Sequence, residues 1–208
     1  KFFHMVLNEF LVKSPKLNEI PKPGIKSQLK MEPHGREICH TNKNNLRFAA
    51  TILLFYPIKK VLHFCLIRRR AIEKNVHSDQ IAFPGGEIDK SDKSSWDAAL
   101  RETNEEIGVK QDQVIYITKL SKVFIPVSNF IVFPFMARTT KSPAFVINKK
   151  EVDYLIEVKL SMLLSKNSIG TAKINNRKVP IFDFDGEKVW GATAMVLSEA
   201  RDLILLLK

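Results

Sequence analysis

Apolar positions recur at helical spacing in two long stretches of the chain and as short extended runs elsewhere. From about Ser95 to Ile107, the residues Trp96, Ala99, Leu100, Thr103 and Ile107 form one stripe, predicting a helix docked on a sheet with Glu102, Glu105 and Glu106 on its opposite face. The start Ser94-Ser95-Trp96-Asp97 offers a serine hydroxyl for capping and an early acid for the helix dipole, and Gly108 offers a stop. A second helix is predicted from about Ala192 to Leu207, where Ala194, Leu197, Ala200, Arg201 and Ile204 repeat. Residues 1–12 place Phe3, Val6, Leu7, Phe10 and Leu11 on one face of a short packing helix. Strand-like runs cover residues 48–55, 61–67, 114–117, 122–125 and 130–137, broken by turn residues or proline.

Strands on both sides of the first helix, with the second helix following them, predict an α/β fold with a mixed sheet between helices. A pure bundle or barrel does not suit this order. From Ser14 to Asn45 four prolines and many lysines interrupt any period, so residues 1–45 read as an extension packing on a domain of residues 46–208. With 208 residues, 45% of them apolar and 26% charged, the chain can bury about 70% of its unfolded surface without disulfide staples. Of the two cysteines, Cys65 lies inside an apolar run and Cys39 beside His40 has no partner pair at zinc spacing, so neither is assigned chemistry. Cysteine usage favours a reducing compartment, and the cytoplasm is the expected location. The basic, apolar start at Lys1 to His4 is interrupted by Asn8 and Glu9, so no signal sequence is expected, and no run is long enough to span a membrane.

A net charge of +11 would attract any polyanion, but the cations are scattered and only Arg68-Arg69-Arg70 is compact. Without a nucleic-acid-binding motif, a small-molecule partner is expected rather than nucleic acid or membrane, and a homodimer is left open. Glu102, Glu105 and Glu106 stand at i, i+3 and i+4, where like charges cost a helix about 0.2 to 0.5 kcal/mol per pair. A hard cation such as Mg²⁺ reverses that sign, since it prefers oxygen ligands. Upstream, Phe83-Pro84-Gly85-Gly86-Glu87 lets backbone pass close to a ligand and can aim a carbonyl at the same cation.

Gly86 to Val109 closely resembles the Nudix box. The core Arg101-Glu102-Thr103-Asn104-Glu105-Glu106-Ile107-Gly108 is intact, except that Thr103 replaces an aliphatic residue. Asp92 stands where the pattern has its first glutamate, separated from Arg101 by eight residues where the pattern has seven. Over most of residues 30–205 the chain resembles the coenzyme A diphosphatase branch of that family. The resemblance rests on Leu66 to Arg70, on His77 to Asp89 (with Asp79 in place of a glycine), on Ile125 to Phe130 and on Val189 to Met195. It implies a Nudix-like α/β/α sandwich and a hydrolase that splits coenzyme A or an acyl derivative into phosphopantetheine and adenosine 3′,5′-bisphosphate. It further implies Mg²⁺ or Mn²⁺ held by Glu105 and Glu106, with Glu102 as ligand or as partner of a metal-bound water, and with the Gly86 or Gly85 carbonyl completing the shell. Arg101 would orient a glutamate. Arg68, Arg69, Arg70, His77 and Gly85 are the candidate substrate contacts, and Glu102, Glu151, Asp153 and Glu157 all remain open as general base. Rival readings are a Nudix hydrolase of ADP-ribose, a dinucleotide or a nucleoside triphosphate, and a non-catalytic nucleotide-binding module.

Overall fold

Two lysines with positive φ, Lys59 at 44° and Lys60 at 67°, turn strand β1 (Arg47–Ile58) back into β2 (Val61–Arg69). These strands pair only over Phe55 to Ile58 with Val61 to Phe64, then part. In the fork between them lie β3 (Ile81–Ala82), paired with β2, and β4 (Gly85–Glu87), paired with β1. This computed structural model describes residues 7–33, 45–70, 80–174 and 176–207. His77, Asp79, Cys39, His40, Phe3 and Val6, which the sequence singled out, lie outside the described residues.

On its other side β1 runs parallel to β7 (Phe130–Arg138), which also pairs antiparallel with β5 (Ile115–Lys119) and β6 (Val123–Ile125). β8 (Val152–Lys159) lies along the outer side of β2. The sheet is therefore mixed, as predicted. Because side chains alternate across a strand, it carries two cores. Ala50, Ile52, Leu54 and Tyr56 of β1, with Cys65 and Ile67 of β2, pack on Ala98, Ala99 and Ile107 of helix α3 (Ser95–Ile107). The intervening Leu53, Phe55, Phe64 and Leu66 pack on Leu197, Ala200, Leu203 and Ile204 of α5 (Gly191–Leu205). This is the α/β/α sandwich that the period of the sequence implies.

The pattern did not reveal β8 or a second sheet, β9 (Ile169–Ile174), β10 (Arg177–Phe184) and β11 (Glu187–Val189), which adds to the α5 layer. Both lie at an edge: β8 sets buried Val152, Ile156 and Val158 against exposed Asp153, Glu157 and Lys159, and β9 is polar and mostly exposed. Before the sheet, α1 (Leu7–Lys13), a 3₁₀ turn at Ser14–Asn18 and α2 (Ile25–Gln28) replace the irregular wrap expected from the prolines. Phe10 and Leu17 from this segment are fully buried in the α5-side core. α4 (Leu160–Leu164) links β8 to β9. Among the described residues no helix is long and apolar enough to cross a membrane.

Candidate active site

The fork between β1 and β2 brings the glycines against α3. Gly85 adopts φ +144°, and a Cβ there would overlap the Ala50 carbonyl and the Thr51 backbone, so the position requires glycine. Ile52 N–H donates to the Pro84 carbonyl at 2.9 Å, holding the wedge. At Gly86 a Cβ would overlap the Glu102 carboxyl. Helix α3 itself begins and ends as predicted: Asp97 N–H donates to Ser94 Oγ at 3.2 Å, and Gly108 adopts φ 74°.

The three glutamates are not one solvated patch. Glu106 is 2% exposed, whereas the side chains of Glu102 and Glu105 are 15% and 50% exposed. At about 100° per residue, Glu106 falls between Glu102 and the buried Thr103 around the helix, so it turns toward the sheet. There the Gly85 N–H donates to Glu106 Oε2 at 2.8 Å. Burial pushes the Glu106 carboxyl up to about 8, against the opposing pull of that hydrogen bond and of the Arg69 charge. Burial likewise raises Glu102, with Arg101 opposing it.

Arg101 ties the site together. Its Nε and Nη2 grip Asp92 at 3.0 and 2.9 Å, Nη1 donates to Glu102 at 2.8 Å and Glu105 at 3.0 Å, and Nη2 also meets the Glu87 carbonyl at 3.1 Å. The hydrogen bonds from Arg101 hold the Asp92 carboxyl below its ordinary value. Asp92, only 6% exposed at its side chain, also accepts from Asp89 N–H at 2.8 Å. The shorter acid in the longer loop thus reaches the arginine, and it fastens the loop to the helix.

The arginine triplet does not act as one cluster. Arg69 points toward α3, where its charge acts on Glu106. Arg68 pairs in register with Tyr154 and lies on the opposite face of the sheet, and Arg70 Nη1 donates to the Lys149 carbonyl at 2.5 Å. Among the candidate bases, Glu151 acts electrostatically on both Glu102 and Glu106. Asn148 holds it, donating from Nδ2 to Glu151 Oε1 at 3.0 Å and from its backbone N–H to the Glu106 carbonyl at 2.9 Å. Glu157 instead accepts from the Tyr56 hydroxyl at 3.0 Å. Asn148 escaped the sequence reading because nothing local marks it; only the folded loop carries it to α3.

Among the described residues no three His, Cys, Asp or Glu side chains close on one point. The donor set nevertheless fits a hard divalent cation: every side-chain donor is a carboxylate oxygen, and Arg101 Nη1 already bridges Glu102 and Glu105 as a positive charge between them. Gly86 leaves the space beside Glu102 that any larger residue would fill.

A glycine wedge, a buried glutamate and an arginine-locked acidic helix fit the needs of a metal-assisted phosphoanhydride site. The NUDIX domain pattern matches residues 45–171, and the chain belongs to that family. It is a Nudix hydrolase acting on nucleoside diphosphate derivatives. A Photorhabdus laumondii protein described as an uncharacterized Nudix hydrolase, NudL, is 28% identical over 176 residues, covering 83% of this chain and 90% of its own length. The Yersinia pestis protein of the same description is 31% identical over 136 residues, covering 64% of this chain and 68% of its own length. In fold, the chain is similar to RenU, a Nudix hydrolase from M. Smegmatis, with a TM-score of 0.54, 16% identity, and coverage of 77% of this chain and 86% of that one.

Proposed function

We propose that the chain hydrolyses the diphosphate linkage of coenzyme A or an acyl derivative, releasing phosphopantetheine and adenosine 3′,5′-bisphosphate portions. One observation supports this most: Thr193 Oγ1 donates to the Ile81 carbonyl at 3.0 Å, joining two segments that resemble the coenzyme A diphosphatase branch, at the fork four residues before Gly85. Glu105 and Glu106, with Glu102 and the Gly86 carbonyl, would hold Mg²⁺ or Mn²⁺. The bound ion supplies Lewis acidity and lowers the pKa of an attacking water. Arg101 and Asp92 keep Glu102 and Glu105 oriented. Glu151 is favoured among the four candidate bases because its charge acts on both Glu102 and Glu106, which that of Asp153 does not, while Glu157 is engaged by Tyr56 and Glu102 by Arg101.

Arg69 faces the glutamates and is assigned to a substrate phosphate, with paired donors suited to the 3′-phosphate. His77 and Gly85 are assigned to substrate on the resemblance and on the backbone approach respectively, and the cytoplasm is the proposed location. The deciding experiment compares turnover of coenzyme A, ADP-ribose and a nucleoside triphosphate at equal concentration with Mg²⁺ or Mn²⁺, for the native chain and Glu106→Gln. Preferential, glutamate-dependent release of phosphopantetheine is expected. Faster turnover of another substrate overturns the coenzyme A assignment, and no turnover, with ligand binding unaffected by Glu106→Gln, replaces the enzyme with a nucleotide-binding module.

A further inference from the structure

β8 ends the larger sheet: it pairs with β2, and among the described residues no strand pairs with its outer side. A cleft of about 340 Å³ is lined by the consecutive residues 154–158 together with Met162, Phe184, Asp185 and Glu187. Consecutive residues of a strand point to opposite faces, so all five can line one cleft only where it follows the backbone edge itself. The cleft therefore presents unpaired main-chain groups, the usual template for adding another strand. One edge acceptor, the Asp153 carbonyl, takes a hydrogen bond from Lys149 Nζ at 2.6 Å, and that partner is exposed and displaceable.

We propose that this edge pairs with the β8 edge of a second copy of the chain, forming an antiparallel dimer centred on Ile156. The register follows from symmetry and charge. Backbone groups of alternate residues face outward, so a twofold axis can oppose only residues of the same parity and must pass through one residue. Centring on Leu155 sets Asp153 against Glu157 twice, and centring on Glu157 sets that acid against itself. Centring on Ile156 overlaps the whole of residues 153–159 and places Asp153 opposite Lys159 at both ends. It also places Tyr154 opposite Val158. Opposite charges directly across antiparallel strands stabilise the pair, and like charges oppose it. Ile156 and Val158 already belong to the α5-side core, so the axis extends that apolar layer from one copy into the next. Charges on an edge strand ordinarily block pairing. Here they oppose the registers centred on Leu155 and Glu157, and leave the one centred on Ile156 as the longest overlap without a like-charge pair.

Sedimentation equilibrium of the native chain, Asp153→Lys, Lys159→Asp and the double variant decides the matter, with circular dichroism confirming that each is folded. The native chain is expected to show a concentration-dependent dimer. Each single substitution should raise its dissociation constant by about tenfold, and the double substitution, which restores opposite charges in the same register, should recover most of the loss. A native chain that stays monomeric at its highest soluble concentration overturns the proposal. So does a dimer indifferent to the single substitutions, which places the interface elsewhere, or one that the double substitution fails to restore.

Discussion

Glycine, aspartate and glutamate act at this site through space rather than through reactivity. Gly86→Ala drives a methyl into the Glu102 carboxyl, and the overpacking is expected to cost about 1 to 3 kcal/mol while displacing a carboxylate oxygen proposed to bind the metal. Urea unfolding together with the Mg²⁺ dependence of turnover will show both effects; an alanine variant with native activity would mean that Glu102 is free to move. Asp92 and Arg101 form a paired, charge-assisted contact at a side chain that is 6% exposed. Asp92→Asn is expected to cost about 1.5 to 3 kcal/mol at neutral pH. Because Arg101 holds the folded Asp92 carboxyl below its ordinary value, this stabilisation is full above that value and is lost as pH falls below about 4. Unfolding free energies measured at stepped pH should therefore converge for the native and Asp92→Asn chains in acid. Glu106→Gln keeps an acceptor for the Gly85 N–H and leaves no carboxylate to ionise against a cation, so it should hold the stability of the metal-free chain while abolishing any Mg²⁺-dependent rise in Tm.

At the scale of elements, α3 carries the glutamates proposed to hold the metal, and its ends are set locally. Ser94 Oγ accepts from Asp97 N–H and donates to the Asp97 carboxylate at 2.7 Å. Ser94→Ala is expected to destabilise the domain by about 1 kcal/mol, read from chemical denaturation, with turnover at saturating substrate unchanged because no catalytic oxygen moves. Helix α3 was legible to the residue, from Ser95 to Ile107, because cap, stripe and stop all lie within one short stretch. The strands β1, β2 and β7 were legible to within a few residues for the same reason. β3 and β4 were not, since two- and three-residue pairings are created by the fork they fill and have no period of their own. β9 was missed because it is polar and loses the alternation, whereas β8 carries a period-2 pattern, Val152, Tyr154, Ile156 and Val158 against Asp153, Glu157 and Lys159, that the strand runs passed over.

Across the whole molecule, the N-terminal segment is latched to the last helix. Glu199 on α5 is fully buried and accepts from Gln28 Nε2 at 2.8 Å, from Ser121 Oγ at 2.8 Å and from the Ser121 and Gly24 N–H groups. Glu199→Ala leaves those donors without their acceptor and is expected to cost about 3 kcal/mol. Limited proteolysis of that variant should cut first within residues 7–33; a native cleavage pattern would show that the apolar contacts of Phe10 and Leu17 suffice to hold the segment. No local pattern announced Glu199, which stands between Leu197 and Ala200 of the apolar repeat.

The sequence by itself determined the helix that bears the glutamates, the glycines that permit close backbone approach and the α/β class, because each rests on spacing within about a dozen residues. Only the tertiary structure decided how those residues divide their labour. It buried Glu106 and left Glu105 in solvent, sent Arg69 and Arg68 to opposite faces, recruited Asp92 to Arg101, and brought Glu151 and Asn148 to the same helix. Those choices depend on which sheet face each side chain meets and on where strands fork, and both are set by long-range pairing that no local spacing encodes.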